Sequence, residues 1–488
     1  MRKTLERPTI LLLTSSLLVD RVFIYTNIVE TLDNFGEVVI WAVSRGDNQN
    51  SSVWDQCVAK VENFPPVLPF KSFPYIYWRR LNEFVWDYRH RIPSRESVKE
   101  HLKNINNRLS VRALKLPARF LAMCRREKWL EDNLEKALLN CPRSNEAERR
   151  LRELQPAVLV VTGGFQFEQP AVFAAAKKLG IPTLAYIPSW DNITTKNRMV
   201  FKYDGYLVWS EQIKKELHQF YPATRNRPVY IVGAPQFDIF FQKRFHQTRA
   251  EFCLEQNLNP ELPLIVYAIG SPNFLQEHHG ALEMAKKIHR NEFGKVQMLV
   301  RPHPIHDNAQ LHNAFDKFAP QVQLQQTHNA GKQVAERSQD ERQIREWINT
   351  FRHADVVINL SSTVTIDAAI FDKPIINLDF DPQPGQTDQA LIYDINHRWN
   401  HFKPVAESGG VWLVKNFDEL THAVKSYMQN PNLHRPERKQ IVRYVCEYID
   451  GNCAERMAQA IVEFAGTNSS ANSYDLRTGT KRKSVARI

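Results

Sequence analysis

The chain has 488 residues, 43% hydrophobic and 24% charged, with a formal net charge of +11. Such a length implies two domains or more, the composition excludes a fibrous or wholly disordered chain, and the positive balance favours anionic partners such as nucleotides or lipid headgroups. The 6 cysteines are scattered without a C-x-x-C pair, which argues against a zinc site or a disulfide framework and fits reduced thiols in the cytoplasm.

Residues 1–7 are basic and 10–19 largely apolar, but Pro8, Thr14, Ser15 and Ser16 interrupt the run and no small-x-small cleavage site follows. A buried first strand over 10–13 is therefore expected rather than a signal peptide. A helix over 21–34, ended by Gly36, and a strand over 37–43 complete the opening of a βαβ unit. The pattern resumes with strands over 157–162, 182–187, 206–209 and 229–232 and helices over 169–179 and 211–220. Short Val/Ile/Leu-rich strands alternating with helices predict a parallel sheet covered on both faces. No stretch approaches the roughly 20 apolar residues that span a bilayer, so membrane contact is expected to be peripheral.

An insertion over about 44–150 interrupts this first domain, which extends over 1–250. Between residues 71 and 128 it holds 15 Lys/Arg against 5 Asp/Glu, close to the surplus of the whole chain. Trp78, Trp86 and several tyrosines lie among Arg79, Arg80, Arg89 and Arg91, followed by helical turns. Two readings fit: an interfacial surface for an anionic membrane, or a helical subdomain whose aromatics form its own small core. Nucleic acid is not expected, since no nucleic-acid motif accompanies the charge.

A charged, Pro-containing linker over 249–263 leads to a second α/β domain over 251–430. Strands are expected over 264–269, 296–300, 356–359 and 374–378, with helices over 275–290, 342–352 and 363–371. Residues 431–467 read as helices packing back on the first domain, and 468–488 as a disordered basic tail.

The candidate chemistry sits in loops that follow strands, where open α/β sheets bind ligands. Ser361, Ser362 and Thr363 open a helix whose amides and dipole suit a diphosphate, and Asp367 suits a ribose hydroxyl; an ordinary N-cap is the alternative. Gly270 and Ser271 end another strand. Arg301 and His303 stand in a loop fixed by Pro302 and Pro304, suited to phosphate contact and proton transfer, or simply a rigid turn. In the first domain Ser189, Trp190, Asp191 and Asn192 offer a stacking face, a carboxylate and an amide to an acceptor, or form an Asx-turn with a packed indole. Two further polar loops join Thr14, Ser15 and Ser16 with Asp20, and Thr162, Gly163 and Gly164 with Glu168.

On these motifs, with the segment from Gly233 to Asp238 and the pair Lys373-Pro374, the chain resembles the GT-B glycosyltransferase superfamily, and within it bacterial proteins related to CDP-glycerol glycerophosphotransferases and surface-polysaccharide glycosyltransferases. The resemblance covers about 156–381. It implies two Rossmann-like domains facing across a cleft, with the nucleotide donor on Gly270, Ser271, Arg301, His303, Ser361, Ser362, Thr363 and Asp367. It places the acceptor in the first domain, and implies neither a cofactor nor a metal; Asp379 and Asp381 are no obvious metal pair. The expected activity is transfer of a sugar from a nucleotide-sugar donor to a cell-envelope glycan or lipid-linked acceptor. Asp191 is the expected base, ahead of Asp20 and Glu168, and His303 the group acting at phosphorus if the donor is CDP-glycerol. A UDP-sugar 2-epimerase would have the same two-domain shape, as would a non-catalytic glycan- or lipid-binding scaffold that kept the fold.

Overall fold

The computed structural model describes residues 7–45, 51–67, 73–101, 109–124, 126–140, 144–166, 168–271, 277–330, 332, 339–383, 385 and 388–468, with short strands at 474–475 and 480–481. The chain divides into two compact units: Met1–Arg95, Asn104–Phe241 and Cys446–Ile488 form the first, Glu96–Lys103 and Gln242–Val445 the second.

The first unit holds β1 (Thr9–Thr14), β2 (Glu37–Ala42), β3 (Lys60–Asn63), β4 (Val158–Val161), β5 (Thr183–Tyr186), β6 (Gly205–Val208) and β7 (Val229–Ile231). The second holds β8 (Leu264–Ala268), β9 (Gln297–Arg301), β10 (Val322–Leu324), β11 (Val356–Asn359), β12 (Ile375–Leu378) and β13 (Trp412–Val414). The sheet orders are β3-β2-β1-β4-β5-β6-β7 and β10-β9-β8-β11-β12-β13. All pairings within these sheets are parallel. Both orders reverse at one point, between β1 and β4 and between β8 and β11, which is the doubly wound arrangement expected from the sequence. Helices cover both faces, so the central strands are buried along their whole length and read as continuous apolar runs.

The chain's last long helix, Cys453–Asn468, packs within the first unit against β4, β6 and the helix Ile28–Asp33. Its approach to the sheet needs Gly205, since a Cβ there would stand 2.7 Å from the Phe464 ring. Its amino end is capped by Asp238, whose carboxylate accepts from the amides of Cys453 (3.1 Å) and Ala454 (2.6 Å). Gly233, at φ +84, would carry a Cβ 2.4 Å from Cys453 Sγ. The Gly233-to-Asp238 segment is therefore the seat of this helix.

Several local expectations are corrected. The helix expected over 21–34 is two, Leu17–Tyr25 and Ile28–Asp33, parted where the Thr26 hydroxyl turns back onto the Val22 carbonyl at 2.6 Å. The supposed linker contains a helix, Arg249–Glu255, opened by a Thr248/Glu251 capping box. The tail over 468–488 falls almost wholly outside the described residues, apart from an antiparallel pairing of Tyr474–Asp475 with Thr480–Lys481.

In the insertion, the helix Tyr75–His90 buries Tyr75, Arg79, Arg80 and Trp86 and leaves Trp78, Tyr88 and Arg89 exposed. Arg79 and Arg80 are buried on Glu83, and Arg79 also donates to the carbonyls of Phe165 (2.9 Å) and Gln166 (2.9 Å). Trp86 is buried with its indole on the Phe220 carbonyl at 3.0 Å. Arg79 and Trp86 tie the insertion to the rest of the first unit and are not an interfacial surface; the insertion's own apolar cluster is Val85, Ala118, Ala122 and Leu130.

Candidate functional site

In the second unit the switch point lies between β8 and β11. Gly270 and Ser271 follow the first strand, and Leu360, Ser361, Ser362 and Thr363 follow the second. The turn after β11 is built from below by Asn359, a buried strand residue. Its Oδ1 accepts from the Ser362 amide (2.9 Å), the Ser362 hydroxyl (3.3 Å) and the Thr365 hydroxyl (3.2 Å). Ser361 adopts φ +51, an uncommon conformation for a non-glycine residue. It is held there by a 2.5 Å hydrogen bond from its hydroxyl to Asn396 Oδ1. Asn396 donates in turn to Asp379 Oδ1 (3.0 Å), and His397 Nε2 lies 2.9 Å from Asp379 Oδ2. Ser361 is thereby locked, Ser362 is half-buried and Thr363 is exposed.

Glu277 lies beneath both loops. Its carboxyl accepts from the Gly270 amide at 2.6 Å and also from the Leu360 amide, so one buried side chain ties together the ends of β8 and β11. Burial pushes its pKa up to about 8, and the two amides offset this only in part. Among the described residues, Glu277 Oε1, the Tyr267 hydroxyl and Asn359 Nδ2 are buried without a hydrogen-bond partner. A carboxyl whose folded pKa lies above its unfolded value loses stability as pH rises between the two, here from about 4.5 to about 8. Glu277→Gln keeps a carbonyl for the amides and removes the titration. In urea unfolding it is expected to match wild type near pH 4.5 and to exceed it above about pH 8.

At the end of β9, Arg301 is hydrogen-bonded to Gln325 Oε1 and lies 5.6 Å over the Phe351 ring, with the carboxylates of Glu346 and Asp367 opposing the loss of its charge on burial. Asp367 is buried and accepts from the Trp347 indole at 3.0 Å. Its carboxylate turns into the packing between helices Glu341–His353 and Val364–Ile370, which corrects the reading of a first-turn charge open to a ribose. His303 Nδ1 receives the Ile305 amide at 3.4 Å, so in the neutral ring Nε2 carries the proton and is a donor. His306, which no sequence motif singles out, lies 3.1 Å from the Gly270 carbonyl and fastens the β9 loop to the β8 loop.

In the first unit, Gln169 is the buried organiser of the corresponding edge. Its Oε1 accepts from the amides of Thr162 (2.9 Å) and Gly163 (2.8 Å), and its Nε2 donates to Ser15 Oγ at 2.8 Å. Asp20 is buried beside the Thr14 hydroxyl at 2.5 Å, and burial raises its pKa to about 6. The Ser189-to-Asn192 loop takes the Asx-type form. Asp191 accepts from the hydroxyls of Ser189 (2.5 Å) and Thr195 (2.7 Å) and from Asn192 Nδ2 (3.2 Å). Trp190 is buried, so it offers no open stacking face, and Asn192 is buried as well. Nearby, Glu216 is buried on the helix Glu211–Phe220, and burial raises its pKa to about 7. No motif in the sequence marks it. Glu168 stands at the start of the helix Gln169–Lys178.

Residues 171–463 match the CDP-glycerol:poly(glycerophosphate) glycerophosphotransferase family. The chain belongs to that family. The matched residues include every candidate donor and acceptor residue described above, whereas Asp20, Glu168 and the basic insertion lie outside them. No curated protein sequence matches the chain. Solved structures similar to it include the UDP complex of S. aureus MnaA, with a TM-score of 0.52 at 11% identity over 94% of this chain and 96% of that one. A putative UDP-N-acetylglucosamine 2-epimerase from Listeria monocytogenes gives 0.51 at 13% identity over 96% and 98%, and a glycosyltransferase from Rickettsia africae 0.50 at 10% over 94% and 98%. At these identities they show a shared fold, two Rossmann-like domains of the GT-B kind.

In this family member one group of side chains among the described residues has metal-ligand spacing: Glu100, His101 and Asp394. Arg398 already holds both oxygens of Asp394, at 2.9 and 3.0 Å, and His101 Nδ1 lies 2.5 Å from Asp388. The group reads as an ion-pair network.

Proposed function

We propose that the protein is a transferase that holds a nucleotide diphosphate donor at the carboxyl edge of the six-stranded sheet and passes its activated group to a hydroxyl of a cell-envelope acceptor, on the cytoplasmic side. Ser362, Thr363 and the Gly270-Ser271 backbone receive the diphosphate, His303 acts at the reacting phosphate, and Arg301 supplies positive charge from behind the sheet edge. The observation that carries this reading is the family membership, together with the convergence of these loops on one switch point.

The family assignment favours glycerol phosphate from CDP-glycerol over the sugar donor suggested by the motifs. In that reaction the acceptor oxygen attacks the glycerol-bearing phosphorus, the bond from that phosphorus to the bridging oxygen breaks, CMP leaves, and the acceptor proton passes to a base. The Nε2–H of His303 is suited to a phosphate oxygen as charge develops on it. Sugar transfer uses the same donor edge and a carboxylate base in the first unit. What supports it is two buried carboxyls with raised pKa, Glu216 and Asp20, which stand beside Asp191 as candidate bases.

The released nucleotide separates the two chemistries. Attack at phosphorus yields CMP, and attack at an anomeric carbon yields a nucleoside diphosphate. Chromatography of reactions with CDP-glycerol, UDP-sugars and a polyol-phosphate acceptor is expected to show CMP from CDP-glycerol. Release of UDP instead moves the protein to the sugar reading, and release of neither from any donor removes both.

A further inference from the structure

The helix Pro93–His101 lies inside the insertion by sequence, yet residues 96–101 belong to the second unit. Their polar contacts there run to the helix Gln389–His397 and to the residues that flank it. At the amino end of that helix, His101 Nδ1 lies 2.5 Å from Asp388 Oδ2, while Asp388 Oδ1 caps the helix by accepting from the Leu391 amide at 3.1 Å. In its middle, His101 Nε2 lies 3.6 Å from Asp394. The carboxylates of Glu96 and Glu100 favour the charge on Arg398, which holds both oxygens of Asp394. Past the carboxyl end, the Trp399 indole donates to the hydroxyl of the buried Ser97 at 2.9 Å, and the Trp399 amide donates to the Asp394 carbonyl at 2.8 Å. The helix is gripped at both ends.

A helix of only 9 residues has little stability of its own, so its position is set by what holds it. This helix also fixes the donor edge. Asn396 accepts from the Ser361 hydroxyl and donates to Asp379, and His397 lies against the other oxygen of Asp379. Ser361 is at φ +51, a conformation that a serine keeps only where its surroundings impose it. Ser362 and Thr363 follow directly, so their placement depends on Asn396, and that of Asn396 on the grip on its helix.

We propose that Ser97 and His101 are positioning residues for the donor edge: this piece of the insertion clamps the helix Gln389–His397 and, through Asn396, holds the Ser361-to-Thr363 turn in the form that receives the donor. The proposal rests on the reading of that turn as the donor site.

His101→Ala, His101→Gln and Trp399→Phe in the full chain test it. Amide hydrogen exchange without nucleotide comes first, because it does not depend on the donor reading. In His101→Ala, peptides covering 361–363 and 389–397 are expected to exchange at least about tenfold faster, as befits the loss of a hydrogen bond to a carboxylate, while β8 and β11 keep their wild-type protection. Trp399→Phe keeps the ring and removes only the N–H, so the same pattern is expected at smaller size. His101→Gln keeps an N–H for Asp388 and should restore most of the protection. In steady-state turnover, His101→Ala is expected to raise the KM for the donor about five- to tenfold and to change kcat less than about twofold, the split that marks lost ground-state binding. Faster exchange at 389–397 with 361–363 unchanged overturns the proposal, as does exchange raised equally throughout the second unit. So does nucleotide binding as tight in His101→Ala as in wild type. If wild type binds no nucleotide while the exchange pattern is as expected, the donor reading falls and the clamp on the turn is upheld.

Discussion

His303→Ala is expected to lower turnover of the preferred donor by about 10²- to 10⁴-fold, the usual worth of a positioned proton-transfer group, with little change in donor affinity. The loop around His303 is held independently of its ring. Pro302 and Pro304 fix the backbone on either side, the His306 amide bonds the His303 carbonyl at 2.9 Å, and the His306 ring reaches Gly270. Removing the imidazole therefore deletes a proton donor and leaves the donor edge standing. CMP release in single-turnover conditions is the readout. His303→Gln, which retains an N–H, should recover part of the loss if the ring donates to a phosphate oxygen. A fall in affinity equal to the fall in rate would make His303 a binding residue only.

Ser362→Leu combined with Thr363→Leu is expected to abolish stabilisation of the fold by nucleotide. A ligand at about 100 times its dissociation constant adds about 2.7 kcal/mol to the unfolding free energy, and this whole increment should disappear. Ser362 is half-buried and Thr363 exposed, so the added volume projects into the space above the turn more than into the core. The supports of the turn, Asn359 below and the Ser361–Asn396–Asp379 chain beside it, are untouched. Ser361 is the wrong position for the same test, because a β-branched or bulky residue is a poor occupant of φ +51.

The two sheets were legible because their central strands, such as Val158–Val161 and Val356–Asn359, are buried on both faces and stand out as apolar runs between helices. Three of the four edge strands were not. Lys60–Asn63, Val322–Leu324 and Trp412–Val414 are three or four residues long and partly exposed, so no run marks them. The candidate loops were found because position after a strand is itself the signal. What each side chain does there was less legible. Asp367 and Trp190 look exposed in sequence and are buried, since helix packing decides which way they turn. Glu277, Asn396, His397 and Glu216 come from helices whose sequence shows only ordinary polar residues, and their roles arise from loops distant in the chain. The basic excess of the insertion was plain in the composition. Its division into buried ion pairs at Arg79 and Arg80 and exposed cations at Arg112, Lys115 and Arg119 depends on which face each helix packs.

A nucleotide diphosphate donor bound at the β8/β11 edge should stabilise the folded protein. The most direct measurement is the thermal unfolding midpoint of wild type and of the Ser362→Leu/Thr363→Leu variant with CDP, CMP, UDP, GDP and dTDP. A cytidine nucleotide is expected to raise the wild-type midpoint most and to leave the variant's unchanged. A wild-type midpoint indifferent to every nucleotide, or a rise of equal size in the variant, would contradict it.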